Sequence, residues 1–231
     1  MPAPLPAPVR PSPPHRRLLG DLLAAGEPYG LVLAGGYAVL AHGLVNRLSR
    51  SVDVATEHAA GMADIVTTVR AGLEARGWTV RGVETFPVSA RLVLTDPDGS
   101  ADHEAGIHKE VLWRPVVQTE LGPALGLEDL VGTRVRALAG RGLPGDLIDV
   151  HAASAHWSRP ELEELGRRHA PDTFDLSDLQ SRLTGTDWLD DREFAVFGLD
   201  EGDIAEVRRW AQEWADDIAE RLVEGETPED A

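Results

Sequence analysis

A four-residue apolar run, Leu31-Val-Leu-Ala34, leads directly into Gly35-Gly36, the stretch YAVLAHGL and then Val52-Asp-Val-Ala-Thr56. A short apolar run bounded by glycines reads as a strand covered on both faces. The residues after the paired glycines predict a short helix, and the alternation over 52–56 predicts a second strand. A buried strand that turns through glycine into a helix needs layers on both sides, so the chain is expected to build an α/β core. With 231 residues it can bury a substantial one.

The flanking sequence fits that core. Leucines at 18, 19, 22 and 23 predict a helix over His15–Ala25, and apolar residues at 62, 65, 66, 69 and 73 predict another over 62–77, stopped at Gly77. Thr79–Val83, Ala90–Thr95 and Ala101–His108 read as strands, the last two joined as a hairpin through Asp96-Pro-Asp-Gly99. Leu127–Leu138 reads as a helix, a further helix begins at Leu147, and the chain is helical beyond Pro160. There, positions 204, 207, 211, 214, 218 and 222 place one apolar stripe along a helix. Trp210 and Trp214 sit on or beside that stripe, as core or as a face for a partner.

Composition divides the chain. Residues 1–14 hold seven of the sixteen prolines and are expected to form a disordered or loosely docked tail, or a ligand for a proline-binding partner. Residues 159–231 carry 22 acids against 8 arginines, a net of −14 out of −17. The expected organisation is a tail over 1–14, an α/β domain over 15–156 and an acidic helical domain over 157–231.

The same composition excludes several classes. There is no cysteine, hence no disulfide, thiolate metal site or cysteine nucleophile. A net charge of −17 argues against gripping a nucleic-acid backbone. No apolar run reaches the ~20 residues of a membrane span, and the N-terminus lacks a signal-peptide layout. The expected location is the cytoplasm, with no membrane partner. Lys109 is the sole lysine, so a phosphate would be met by arginine, backbone N–H groups or Lys109.

No G-x-x-x-x-G-K-[ST] loop and no G-x-G-x-x-G is present. His103-Glu-Ala-Gly-Ile-His108 has one residue too many to place two histidines on one helical face, so it is no zinc protease motif.

The segment LVLAGGYAVLAHGLVNRLSRSVDVAT, Leu31–Thr56, resembles the opening motif of the nucleotidyltransferase superfamily in its AbiEii/AbiGii-type toxin branch. There a Gly-Gly strand exit is followed by R-x-S-x-D-x-D, matched here by Arg47, Ser49, Ser51 and Asp53. Ser89–Pro97, Lys109-Glu110, Arg114-Pro115, Leu127–Leu138 and Arg141–Val150 resemble later segments of actinobacterial members, in the same order. The resemblance implies a nucleotidyltransferase-like mixed sheet with flanking helices, followed here by the acidic helical segment. It implies Gly35 and Gly36 beside nucleotide phosphates, where absent side chains let backbone approach. In the family, strand carboxylates hold two divalent ions about 3.5–4 Å apart.

The departures from the family pattern matter as much. The first metal aspartate falls on Ser51, the second is retained as Asp53, and the third falls on Gly106. The helix lysine falls on Arg134, and the arginine before the following aspartate falls on Gly145, while Asp146 and Asp149 remain. One carboxylate in place of three would hold metal weakly or not at all. On an extended strand 102, 104, 106 and 108 share a face, so Asp102, Glu104 and His108 would flank Gly106. Ser51, Asp53 and Glu57 would line a parallel face. The candidate catalytic residues are Asp53, Glu104 and His108, as a single-metal or metal-free acid/base set; the plainer reading is solvated polar residues at a strand end. Candidate cofactor-binding residues are Gly35, Gly36, Ser51, Arg134 and Asp146, and the one candidate metal ligand is Asp53. His42 and His58 either face the cleft or pack elsewhere.

Three functions follow. The first is a nucleotidyltransferase-fold protein with a degenerate metal site, binding a small molecule or nucleotide in the old cleft. It would need no cofactor, or bind Mg²⁺ and NTP only weakly. The second is a repurposed biosynthetic enzyme using cleft acid/base residues without NTP. The third is an active toxin transferring nucleotides to an RNA or protein target, with the cognate protein partner that the branch implies.

Overall fold

The computed structural model describes residues 9–226, with side chains through 224. The chain divides into two compact units between Leu127 and Glu128.

The first unit is built on α1 (Pro13–Ala25), β1 (Val32–Ala34), α2 (Gly35–Ala41), β2 (Ser51–Thr56), α3 (Met62–Glu74), β3 (Thr79–Thr85), β4 (Ser89–Thr95), β5 (Asp102–Lys109), β6 (Val117–Thr119) and β7 (Gly122–Ala124). The seven strands form one mixed sheet in the order β3-β4-β5-β2-β1-β7-β6. β2 runs parallel to β5 and antiparallel to β1, and β1 runs parallel to β7. The expected hairpin joins β4 to β5. Its turn is closed by Asp96, whose carboxylate accepts from the Ser100 amide and hydroxyl at 2.7 Å each.

Alternation divides the sheet into two faces. Leu33, Val52, Val54, Leu92, Leu94 and Ile107 are fully buried on one of them, and Leu18, Leu22, Ile65, Val69 and Leu73 of α1 and α3 are equally buried. The two helices touch closely: a Cβ on Gly72 would lie 2.7 Å from Cβ of Ala25. α3 ends where expected, with Gly77 at φ +92 and the Trp78 amide returning to the Leu73 carbonyl.

Two features depart from the sequence reading. Pro13 and Pro14, expected within the tail, form the first turn of α1, capped by Ser12. Proline lacks the N–H that a first helical turn leaves unused. Residues 1–8 lie outside the described residues. Strands β6 and β7 are three residues each, too short for alternation to register. The second is recruited by the Leu33 carbonyl, which accepts from the Leu125 amide at 3.0 Å.

The second unit is helical among its described residues: α4 (Leu127–Arg141), α5 (Pro144–Ala153), α6 (Arg159–Arg168), α7 (Leu176–Thr184), a 3₁₀ turn over Gly185–Trp188, α8 (Asp191–Ala195) and α9 (Glu201–Glu226). Its limit lies ahead of the 156/157 boundary expected from charge. Charge records which surface is acidic, whereas packing groups α4 with α6. A Cβ on Gly132 would lie 2.5 Å from both the Leu165 carbonyl oxygen and the His169 ring, so only glycine permits that approach. The predicted stripe is real: Ile204, Val207, Ala211, Trp214 and Ile218 are buried. At its centre the Trp214 indole donates to buried Glu163 at 2.9 Å, and Arg221 grips the same carboxylate through two nitrogens at 2.5 and 2.9 Å. That grip pushes the Arg221 guanidinium above its ordinary value.

Truncation of Trp214 to alanine is expected to destabilise the helical unit by about 3–5 kcal/mol. Trp214→Phe, which removes chiefly the donor to Glu163, is expected to cost about 1–2 kcal/mol. Urea unfolding of both variants, followed by far-UV circular dichroism, checks the order.

Candidate functional site

The site lies on the sheet face opposite α1. β2 and β5 pair in register so that Ser51 lies beside Glu104, Asp53 beside Gly106 and Ala55 beside His108. Across β1 the neighbour of Asp53 is Ala34, the residue before the paired glycines. Asp53 and Gly106 are therefore adjacent across one strand pair.

Asp53 is closely enclosed. The Ser51 hydroxyl donates to its Oδ2 at 2.7 Å. His108 Nε2 approaches its Oδ1 at 3.6 Å, with the aspartate side chain 19% and the imidazole 38% exposed. Two glycines make the room. A Cβ at Gly35 would lie 2.6 Å from Asp53 Oδ2 and 2.8 Å from Asp53 Cβ, and Gly35 has φ +59. A Cβ at Gly106 would lie 2.3 Å from Asp53 Oδ1 and 2.8 Å from His108 Nε2. The carboxylate and the imidazole thus fill the space above Gly106. Gly36 admits a neighbouring loop in the same way: its Cβ would meet the Ser49 hydroxyl at 2.7 Å and Arg47 Nη1 at 3.5 Å. Arg47 is itself buried, donating to the Leu48 carbonyl at 3.1 Å.

Of the candidate residues, Gly35, Ser51, Asp53 and His108 come together around Gly106, with Gly36 next in the chain. Glu104 shares the face but pairs with Arg91 of β4 at 2.6 Å, both half-exposed. The Glu104 carboxylate raises the Arg91 guanidinium above its ordinary value. Asp102 accepts from Thr95 at 2.6 Å. His42 bonds the Leu125 carbonyl through Nε2 at 2.8 Å, and His58 accepts from the Ala60 amide and packs edge-on against Tyr29. Both histidines thus have partners outside the Asp53 cluster.

Arg134 and Asp146 belong to the helical unit and bind each other. Arg134 meets Asp146 at 2.5 Å and Asp149 at 3.0 Å, and Arg141 grips Asp146 through two nitrogens at 2.7 and 2.9 Å. Both aspartates are fully buried. Arg91 escaped the sequence reading; the pairing of β4 on β5 places it beside Gly106. Among the described residues, no group of three or more histidine, aspartate or glutamate side chains is arranged to hold a metal ion. No described helix is long and apolar enough to cross a membrane.

No family model matches the sequence, and no curated protein matches it. Solved structures do match its fold. A proposed nucleotidyltransferase from H. pylori superposes with a TM-score of 0.52 at 17% identity, covering 93% of this chain and 97% of that one. JHP933 from Helicobacter pylori gives 0.50 at 20% identity, covering 91% and 93%. MenT4, a nucleotidyltransferase toxin from Mycobacterium tuberculosis H37Rv, gives 0.57 at 15% identity, covering 88% and 84%. The chain has the nucleotidyltransferase-like α/β fold expected from Leu31–Thr56, with its seven-stranded mixed sheet and flanking helices.

Substituting the two glycines that enclose Asp53 is expected to have unequal effects. Gly35→Ala forces a side chain into the left-handed region and against Asp53 Cβ, at a cost of about 2 kcal/mol. Gly106→Ala meets only the ends of two side chains, which can swing aside, and should cost less. Thermal melts of both variants beside the wild type test the ranking.

Proposed function

We propose that this chain is a nucleotidyltransferase-fold protein with a degenerate metal site. In this reading it binds a small molecule or nucleotide around Gly35, Asp53 and Gly106, and does not carry out standard metal-dependent nucleotidyl transfer. The observation that carries the reading is the register of β2 on β5: the position beside Asp53 is a glycine, and the space above it is filled by His108. Two-metal phosphoryl transfer needs carboxylates that bridge a pair of divalent ions. Here one carboxylate faces a neutral hydroxyl on one oxygen and an imidazole on the other. That donor set does not fit an ion pair.

A second reading is favoured by the approach of His108 to Asp53. An aspartate beside a partly exposed imidazole is a metal-free acid/base arrangement, which would suit a repurposed enzyme acting on a small molecule without NTP. Glu104, committed to Arg91, contributes less to such a set.

Calorimetric titration of Mg²⁺ with each NTP tests the proposal, on the wild type and on the Ser51→Asp/Gly106→Asp double variant. The wild type is expected to show no Mg²⁺-dependent NTP binding, and the double variant to gain it once the His108 ring yields and the Asp53 carboxylate shifts to make room for the new side chain. Micromolar Mg·NTP binding by the wild type would overturn the reading and return an active, toxin-like transferase to the front.

A further inference from the structure

We propose that His15 is a pH-sensitive latch that fastens α2, and with it the Gly35-Gly36 turn, to α1. Tyr37 follows the two glycines directly and is 1% exposed. A phenol that deep needs a hydrogen-bond partner, and it has one: its hydroxyl lies 2.5 Å from Nδ1 of His15, near the start of α1. The two rings meet edge-on, with centroids 5.6 Å apart.

The direction of that bond follows from the surroundings. Burial pushes the Tyr37 phenol up to about 12, so its hydroxyl keeps its proton, and among the described residues Nδ1 of His15 is the acceptor within its reach. Nδ1 of His15 must then accept, which requires a neutral imidazole carrying its proton on Nε2. Protonation of Nδ1 removes the lone pair and leaves Tyr37 a buried donor without an acceptor.

The other groups around the ring oppose that protonation. From β5, His103 packs edge-on against His15 with centroids 5.2 Å apart. Its own Nε2 is buried, 3.9 Å from the Asp96 carboxylate in the β4–β5 turn. Hydrogen bonds from Ser100 hold Asp96 below the usual carboxylate range. His103 stands beside His15 and disfavours a charge on it. One ring further out, Trp78 packs against His103 and donates to Asp21 of α1 at 2.9 Å. Arg17 and Arg76 approach Asp21 as well, at 3.5 and 3.7 Å.

Burial first, and His103 second, hold His15 below its ordinary value in the folded state. The folded protein thus binds fewer protons at this site than the unfolded chain. The latch contributes its full stability above about pH 6.5 and loses it as pH falls below that value. Acid is expected to free the helix that carries the glycine turn against Asp53, whatever ligand the site takes.

Amide hydrogen exchange of α2 tests the latch, measured between pH 7.5 and 5.5, corrected for intrinsic rates and referred to α9 amides in the other unit. In the wild type, α2 protection should fall about fivefold across that range, the size of one neutral hydrogen bond. His15→Asn places an amide oxygen near the position of Nδ1 and does not titrate, so its α2 protection should stay level. Tyr37→Phe should show the lowered protection at every pH. A level profile in the wild type, or an undiminished acid loss in His15→Asn, would overturn the proposal, and the asparagine variant decides it even where Tyr37→Phe folds poorly.

Discussion

The parallel pairing of β2 with β5 is the constraint on which the first unit depends. It joins strands separated by α3 and the β3–β4 hairpin, so it closes the centre of the sheet across a long connection. Because side chains alternate along both strands, one register decides two things together. Val52, Val54, Ala105 and Ile107 go to the buried face, while Ser51, Asp53, Gly106 and His108 go to the other. A slip by one residue would expose the core valines and bury an aspartate. The apolar core thereby fixes the positions of the polar groups opposite it.

Close approach recurs as the means of organising that face. Asp53 is held between two positions that cannot carry a Cβ without displacing it. The missing side chain at Gly106 leaves room for the Asp53 carboxylate and the His108 ring. Glycine at 35 serves the turn and the contact with Asp53 at once, since its left-handed backbone and missing side chain are both used.

The helical unit handles its charge differently. Its sequence is strongly acidic, and several of its buried acids are met by arginine: Glu163 by Arg221, Asp146 by Arg134 and Arg141, and Asp149 by Arg134. Removing one partner from such a group leaves a buried charge uncompensated, which costs several kcal/mol. Arg134, the residue aligned with a nucleotide-facing lysine, is a guanidinium shared between two buried aspartates.

Sequence by itself determined the elements and the fold class. The glycine-bounded run at 31–34, the leucine stripe of α1, the Asp96–Gly99 turn and the stripe of α9 are local patterns, and periodicity reads local patterns well. It also marked Glu104, Gly106 and His108 as sharing one strand face, and Ser51 and Asp53 another, because strand alternation is local too. The tertiary structure decided what lies between elements. Pairing with β1 turned residues 122–124 into a strand that carries almost no signal of its own. Packing of α4 on α6 set the unit boundary where charge did not. Contacts across distant segments joined Arg91 to Glu104, and His15 to Tyr37 and His103, since no spacing along the chain records which side chains meet once strands and helices are assembled.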